Sequence, residues 1–160
     1  MKAPQFELPG VDGGRYSPAT VRGDQGLLVM FICNHCPYVK RVIDGIVRDC
    51  KDLATLGIGS IAVMSNDPSD YPEDSFDNMK RVARDKGFPF PYVIDETQEV
   101  ARAYAAVCTP EFFGFDAALE LRYHGRFDGL LEAMKQIAAT GNGPKEQIPS
   151  VGCSIKWRKG

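Results

Sequence analysis

The feature that most constrains this chain is a pair of cysteines placed where an apolar run ends and a helical pattern begins. Residues 27–32 are all apolar, a short bounded run that is typical of a buried strand. Cys33 and Cys36 come directly after this run, and Pro37 follows them. Apolar residues then recur every three or four positions, which predicts a helix over 37–56. The two thiols are therefore expected at the N-terminus of a helix.

This position indicates redox chemistry. Unpaired backbone N–H groups and the helix dipole favour a thiolate over a thiol at a helix N-terminus. A strand that leads into a Cys-x-x-Cys helix is the redox signature of a cytosolic thiol protein. We therefore interpret Cys33 and Cys36 as catalytic residues that alternate between a dithiol and a disulfide. Such a pair needs no other cofactor and no metal.

Composition places the chain among ordinary globular proteins. Its 160 residues predict a single domain, 1–160, and its hydrophobic content of 44% and charged content of 25% are usual. The formal net charge of −2 gives no electrostatic reason to expect nucleic acid or an anionic membrane as a partner. Since no apolar stretch reaches the roughly 20 residues that span a bilayer, no membrane partner is expected.

Cysteine usage and the N-terminus both favour the cytoplasm. The five cysteines are odd in number and unevenly spaced, unlike the disulfide framework of a small secreted protein. Residues 1–5 lack the apolar segment of a secretory signal. We therefore expect a cytoplasmic protein.

Periodicity and turn residues predict an α/β order. Residues 4–26 are rich in Pro, Gly and Asp and indicate a hairpin, so 1–26 is interpreted as an N-terminal hairpin extension. The tail at 142–160 carries enough apolar residues to dock on the domain. Strands and helices alternate between them, which predicts a mixed sheet with helices on both faces. Strands are predicted at 27–32, 60–64 and 90–94, and a hairpin at 112–115 and 121–127. Four helices are predicted: one over 37–56, one from a cap at Ser75 to Gly87, one that begins at Thr97, and one from a cap at Asp128 to Gly141.

Several motifs together resemble the thioredoxin-fold superfamily and, within it, the thioredoxin-like proteins of the alkyl hydroperoxide reductase and thiol-specific antioxidant (peroxiredoxin-like) family. The motifs are Pro-Gln-Phe-Glu-Leu-Pro at 4–9 with Asp-Gly at 12–13, Cys-Asn-His-Cys-Pro at 33–37, Thr-Pro-Glu-Phe-Phe-Gly-Phe-Asp at 109–116 and Pro-Ser-Val-Gly-Cys-Ser-Ile-Lys-Trp at 149–157. The resemblance implies a thioredoxin fold and a role in cell redox homeostasis. It also implies that the partners are disulfide-containing proteins or small-molecule thiols, together with an unidentified reductant.

The resemblance assigns roles beside the dithiol. Thr109 and Pro110 match a loop that carries a cis-proline in thioredoxin-like proteins, although most X-Pro bonds are trans and an ordinary proline is the alternative. Thr109 would then pair its backbone with a substrate peptide. Asn34, His35 and Pro37 are interpreted as modulating or substrate-binding residues.

The chain departs from thioredoxin itself at important positions. Asn34 and His35 replace Gly-Pro between the cysteines, and Leu27 stands where thioredoxin has a buried acid, which removes the usual proton acceptor for the second cysteine. A protonated imidazole near Cys33 would stabilise its thiolate and the reduced form. We therefore expect a weaker reductant than thioredoxin.

A peroxiredoxin-type thiol peroxidase, an antioxidant activity, is the first alternative. Cys36 followed by Pro37 resembles a peroxidatic Cys-Pro pair. However, Cys33 occupies the family's Thr position, Val29 occupies an upstream Pro position, and the loop 109–110 stands where an Arg would be. Because the donors that would stabilise a developing oxyanion are missing, the sequence favours disulfide exchange.

Binding of copper or zinc is the second alternative. Cys33, His35 and Cys36 are potential ligands, but structural zinc usually takes four ligands from two separated pairs. The remaining ligands would have to come from Cys108, Cys153 or His124.

The other candidates each have a simpler interpretation. Cys108, before the Thr-Pro motif, and Cys153, in the tail motif, are either packed residues or extra redox thiols. Cys50 lies on the apolar face of its helix and is expected to be a buried small hydrophobe. His124 is expected at a surface or edge, and the acidic loop 67–77 is expected to be a solvated connection.

Overall fold

A mixed sheet forms the centre of the structure, a computed structural model that describes residues 1–159. Within this part, the strands are β1 (Leu8–Pro9), β2 (Arg15–Tyr16), β3 (Gly26–Phe31), β4 (Ile58–Met64), β5 (Tyr92–Ile94), β6 (Cys108–Thr109), β7 (Glu111–Phe115), β8 (Leu121–Gly125) and β9 (Cys153–Ser154). The helices are α1 (Pro18–Val21), α2 (Pro37–Thr55), α3 (Phe76–Lys86), α4 (Glu99–Tyr104) and α5 (Leu130–Thr140), with a 3₁₀ turn at Pro72–Asp74.

The central sheet has the strand order β5-β4-β3-β7-β8. Strand β3 is parallel to β4 and antiparallel to β7, so Val29 lies between Ile61 on one side and Phe113 on the other. Strand β5 adds in parallel to β4, and β8 adds antiparallel to β7. The α/β class and the mixed central sheet that the sequence predicted are therefore confirmed.

The sheet buries an apolar core on each face, because successive side chains of a strand point to opposite faces. Leu28, Met30 and Ile32 pack with apolar residues of α2, α3 and α5 on one face. Leu27, Val29 and Phe31 pack with α4, the N-terminal hairpin and part of the tail on the other face. The apolar run at 27–32 has no polar position because both of its faces are covered.

The cap of α3 agrees with the sequence prediction. The side chain of Ser75 accepts a hydrogen bond from the backbone N–H of Asn78 at 3.2 Å. The helix ends at Lys86, and Gly87 follows in the left-handed conformation with φ 62°.

The predicted caps of the last two helices were wrong. Helix α4 begins after Gln98 rather than Thr97, and the carboxylate of Asp95 binds the backbone N–H groups of Val100 and Ala101 at 3.2 and 2.9 Å. Helix α5 begins after Gly129 (φ 85°), with no side-chain cap from Asp128. In α4, Asp95 supplies the acceptor from before the cap position. In α5, a glycine turn at Gly129 starts the helix.

The two chain ends pack against the sheet. Strands β1 and β2 form the predicted N-terminal hairpin, with Leu8 opposite Tyr16 and Gly13 at φ 87° in the turn. In the tail, β9 pairs with β6, and Ile155 is buried at 3% exposure. Trp157 in the tail is 40% exposed, and the guanidinium carbon of Arg102 lies over its ring, 5.0 Å from the ring centroid.

The predicted tail, 142–160, extends to Gly160, which lies outside the described residues. Among the residues that are described, no helix is both long enough and apolar enough to cross a bilayer.

Candidate functional site

The two cysteines lie at the junction of β3 and α2, as the sequence predicted. The backbone N–H of Ile32 donates to the Val63 carbonyl at 3.1 Å, which continues the β3–β4 pairing to the residue before Cys33. Cys36 is the N-cap residue of α2, and Pro37 is the first helical residue, a position where a missing N–H costs nothing. Both thiols are buried, with 2% exposure for Cys33 and 0% for Cys36.

A proline loop faces the two sulfurs. The Thr109–Pro110 peptide bond is cis, which confirms the predicted isomer. The Cys33 sulfur lies 3.4 Å from the hydroxyl of Thr109, and the Cys36 sulfur lies 3.4 Å from its carbonyl oxygen. Thr109 therefore contacts both members of the pair.

The two thiols interact, and their pKa values shift in opposite directions. The neighbouring Cys33 thiol holds the pKa of Cys36 well below its usual range, against the opposing effect of burial, and the neighbouring Cys153 thiol lowers it further. The pKa of Cys33 is raised because of this interaction with Cys36 and because Cys33 is itself buried. The reduced pair thus carries its negative charge on Cys36. The sequence argument had favoured a thiolate at Cys33, but it did not include the effect of the neighbouring thiols on Cys36.

A buried carboxylate holds the loop between the cysteines. Asp74 is fully buried and accepts hydrogen bonds from the backbone N–H groups of Asn34 at 2.8 Å and His35 at 3.1 Å. Its second oxygen contacts Nδ1 of His35 and accepts a hydrogen bond from the Asn66 amide at 3.1 Å. The expectation that the loop 67–77 is a solvated connection was therefore wrong for Asp74. The 3₁₀ turn directs this side chain inward, and no sequence signal distinguishes it from its acidic neighbours.

The side chains between the cysteines are held in fixed positions. The hydroxyl of Tyr92 donates to the side-chain oxygen of Asn34 at 2.8 Å, and the Asn34 amide donates to the carbonyl of Glu73 at 2.8 Å. The His35 ring stacks on Tyr71 with 4.3 Å between ring centroids. Asn34 and His35 thus shape the loop through contacts away from the sulfurs.

The tail brings a third thiol to the site. Strand β9 pairs with β6 in a register that sets Cys153 opposite Thr109. Cys153 is partly exposed, packs against the core cluster that contains Cys33 and Cys36, and lowers the pKa of Cys36. The edge of β6, where the resemblance placed a substrate peptide, is therefore occupied by the chain's own tail.

The remaining cysteines take other partners. Cys108 contacts the carboxylate of Glu111 at 3.8 Å, and burial raises the pKa of its thiol to about 12. The same carboxylate binds Nε2 of His124 at 2.5 Å, and His124 lies on the edge strand β8, which confirms its expected position. Cys50 is buried at 4% exposure, as predicted.

Cys33 lines a cavity that opens to solvent. The cavity has a volume of about 280 Å³. Most of its lining is apolar: Ile32, Val39, Ile43, Val82 and Phe88. The exposed side chains of Lys40 and Lys86 also contribute to it. Cys33 is therefore the member of the pair that lines this cavity, and Cys36 is not among its lining residues.

The metal alternative has a partial geometric basis. One potential ligand atom from each of Cys33, His35 and Asp74 lies within 4.8 Å of the others. The sequence analysis named Cys33, His35 and Cys36 as potential ligands, whereas the grouped atoms in the structure include Asp74 and not Cys36. The oxygens of Asp74 already accept the hydrogen bonds of the loop, so metal binding at this position would break contacts that hold the loop in place.

Solved structures show the fold. An uncharacterized conserved protein from Geobacillus kaustophilus is similar over all of this chain and 92% of its own, with 42% identity and a TM-score of 0.95. A hypothetical protein from Sinorhizobium meliloti is similar over all of this chain and 94% of its own, with 33% identity and a TM-score of 0.96. A thiol:disulfide interchange protein of the thioredoxin family from Chlorobium tepidum matches 86% of this chain and 95% of its own, with a TM-score of 0.71 at 22% identity. The last match shows a shared thioredoxin fold, as the sequence predicted.

The sequence comparisons show the family. No curated protein matches the chain. The model described as the AhpC/TSA family matches residues 1–124, which include the strand–helix junction and the proline loop. This match supports a thiol-based redox function and redox enzyme activity in general. The chain therefore belongs to the AhpC/TSA family.

Proposed function

We propose that the protein is a thiol–disulfide oxidoreductase whose redox centre is Cys33 and Cys36. The observation that supports this most strongly is that the two thiols lie together at the N-terminus of α2, where Thr109 contacts both sulfurs. The interaction between them lowers the pKa of Cys36 and so stabilises one negative charge on the pair. Exchange requires such a charge because a thiolate is the attacking species.

The reaction proceeds through a mixed disulfide. The proton of Cys33 passes to Cys36, and the Cys33 thiolate attacks one sulfur of a substrate disulfide and expels the first product as a thiolate. Cys36 gives this proton to the first product and attacks the Cys33 sulfur, which expels the second product thiolate. Overall, the pair loses two electrons and its one proton, and the substrate disulfide becomes two thiols with a second proton from solvent. A thiol reductant then returns the protein to the dithiol.

The surroundings of Cys33 favour a small substrate. The low exposure of both sulfurs hinders a folded protein, whereas the cavity of about 280 Å³ leads directly to Cys33. Its apolar walls favour the organic group of a small disulfide. Lys40 and Lys86 add positive charge, which is partly balanced because Lys40 forms an ion pair with Glu73 and Lys86 forms one with Asp44. We therefore propose small organic disulfides as the preferred partners.

Turnover of a chromogenic aromatic disulfide by the reduced protein tests this proposal. Cys33→Ser is expected to abolish turnover, and Cys36→Ser is expected to trap a mixed disulfide visible by mass spectrometry. Cys50→Ala, which alters a buried cysteine outside the site, is the matched control and should retain turnover. Undiminished turnover by Cys33→Ser would contradict the proposal.

Peroxide reduction is the second candidate, and two observations favour it. The chain belongs to the AhpC/TSA family, and the thiol with the lowered pKa is Cys36, the one that precedes Pro37. Against it, the hydrogen-bond partners of the two sulfurs within residues 1–159 include no arginine that could stabilise the departing oxygen. Hydrogen peroxide consumption measured with Cys33→Ser decides between the two: rapid turnover that depends on Cys36 alone would favour the peroxidase.

A further inference from the structure

The tail carries Cys153 to the position beside the dithiol by three kinds of contact. Backbone pairing sets Cys153 opposite Thr109, the residue that contacts both active-site sulfurs. The N–H of Ile155 donates to the Val107 carbonyl at 3.0 Å, and the buried Ile155 side chain packs into the core on one face of the sheet. The N–H of Lys156 donates to the side-chain oxygen of Asn66 at 2.9 Å, and the same Asn66 binds the loop carboxylate. The position of Cys153 is therefore tied to the loop that holds Cys33 and Cys36.

Gly152 allows the tail to approach this closely. A Cβ placed on Gly152 would lie 1.8 Å from the Thr109 carbonyl oxygen, the atom that also contacts the Cys36 sulfur. That separation is shorter than any non-bonded contact, so the tail backbone would have to move away. Only glycine permits the observed approach of the tail to the site.

Cys36 lies close to both other thiols. Cys153 is paired with Thr109, whose carbonyl oxygen contacts the Cys36 sulfur, and it packs against the core cluster that contains Cys33 and Cys36. Cys36 is fully buried, whereas Cys153 is partly exposed. A disulfide confined to Cys33 and Cys36 has little contact with solvent, and a disulfide that includes Cys153 has one sulfur at the surface.

We propose that Cys153 is an exchange thiol that takes over the disulfide from Cys33 and carries it to the protein surface. This inference rests on the proposed function. The Cys153 thiolate attacks the Cys36 sulfur of the Cys33–Cys36 disulfide. The Cys36–Cys153 bond forms, the Cys33–Cys36 bond breaks, and Cys33 leaves as a thiolate that takes up the proton from Cys153. The number of electrons on the protein does not change in this step.

An external thiol reductant completes the cycle at the surface. One thiolate attacks the exposed Cys153 sulfur and releases Cys36, and a second thiolate resolves the mixed disulfide. Cys153 becomes a thiol, and the reductant becomes a disulfide. In this scheme, the small disulfide substrate enters through the cavity at Cys33 and the reductant acts at Cys153 on the tail.

Disulfide mapping tests the proposal. The full chain is oxidised with a slight excess of diamide, its free thiols are alkylated, and its peptides are analysed by mass spectrometry. We expect Cys33→Ser to form an internal Cys36–Cys153 disulfide, and we expect wild type to show this bond beside Cys33–Cys36. Cys108→Ser is the matched control, since Cys108 lies on the same short sheet but contacts Glu111; it should leave both bonds unchanged. Absence of the Cys36–Cys153 peptide from both wild type and Cys33→Ser would overturn the proposal.

Gly152→Ala tests the same geometry with all five cysteines present. Displacement of the tail should cause loss of the Cys36–Cys153 bond while the Cys33–Cys36 bond still forms. If Gly152→Ala forms the Cys36–Cys153 bond to the wild-type extent, the tail is not the positioning element and the proposal fails. The readout does not depend on turnover. The two proposals can fail separately. If Cys33→Ser forms the Cys36–Cys153 bond but the wild-type protein reduces no disulfide, the proposed function fails, and the placement of Cys153 beside Cys36 stands.

Discussion

At the scale of single residues, Asp74 determines the shape of the site more than any residue the motif contains. It binds two consecutive backbone N–H groups of the loop, those of Asn34 and His35, and also the His35 ring and the Asn66 amide. Buried donors that lose their acceptor have no water to replace it. The conformation of the segment between the cysteines therefore depends on a carboxylate about forty residues away in sequence.

Asp74→Asn should loosen this loop. We expect a loss of about 1–3 kcal/mol in the free energy of unfolding, because an amide cannot accept all of these hydrogen bonds. We also expect faster alkylation of Cys33. Urea denaturation and the alkylation rate measure the two effects. Asp85→Asn removes an exposed carboxylate on α3 and serves as the control. Equal behaviour of the two variants would show that Asp74 does not hold the loop.

The shifted pKa of Cys36 predicts a pH-dependent thiolate signal. Because the folded protein holds this pKa below its unfolded value, the Cys36 thiolate should persist at neutral pH and disappear as the pH falls through the folded pKa. The stability that the Cys36 thiolate contributes is fully present above the unfolded pKa and is lost as the pH falls through the folded pKa. The ultraviolet absorbance of the reduced protein during acid titration measures this. Cys36→Ser should lack the transition, and Cys153→Ala, which removes the neighbouring thiol that lowers the Cys36 pKa, should shift it to higher pH. An unchanged transition in Cys36→Ser would assign the thiolate elsewhere.

At the scale of elements, the site depends on where helices begin. Cys36 is the N-cap residue of α2, and Ser75 is the N-cap residue of α3, directly after the 3₁₀ turn that carries Asp74. The hydrogen bond from the Asn78 N–H to the Ser75 side chain fixes the first turn of α3. Fraying of α3 would therefore reach the carboxylate that holds the active-site loop.

Ser75→Ala should destabilise the protein through this cap. Loss of an N-cap hydroxyl costs about 1 kcal/mol, which should lower the midpoint of urea denaturation. Ser69→Ala, in the exposed loop that precedes the 3₁₀ turn, is the control and should change stability by less than about 0.5 kcal/mol. If both variants unfold at the wild-type midpoint, the Ser75 cap does not contribute to stability.

At the scale of the whole molecule, the sheet separates two cores with different roles. The core that includes α2 and α5 contains Cys33 and Cys36. The opposite core is built on aromatic contacts, with the Phe113 ring 5.7 Å from that of Phe31 and 5.4 Å from that of Tyr104, both edge to face. Such pairs add stability beyond the area they bury. The second core therefore supports the sheet from the face that the dithiol does not share.

Phe113→Ala should reduce stability far more than it alters the chemistry. Removing a fully buried aromatic side chain costs about 3–5 kcal/mol, measurable by urea denaturation. Under native conditions, the alkylation rate of the dithiol should stay close to that of wild type. Leu56→Ala, at a residue that is 41% exposed, is the control for a lost apolar side chain. A small stability change at Phe113, similar to that of the control, would argue against a tightly packed second core.

The sequence determined a large part of this protein by local pattern. The unbroken apolar run 27–32 could only be a strand covered on both faces, and the break at Cys33 to Pro37 placed the thiols at a helix start. The strand and the helix start depend on residues close together along the chain, so periodicity and turn chemistry are sufficient to find them. The thioredoxin fold and the cis bond at Pro110 were implied by the family resemblance of the motifs.

The tertiary structure decided what surrounds the sulfurs. Asp74 and Cys153 lie far from Cys36 in sequence, and neither carries a local signal that reveals which way its side chain faces. Their approach depends on the 3₁₀ turn at 72–74 and on the pairing of β9 with β6. The pKa of a thiol is set by whichever groups lie within a few ångströms of it, and folding alone brought Cys153 close to Cys36.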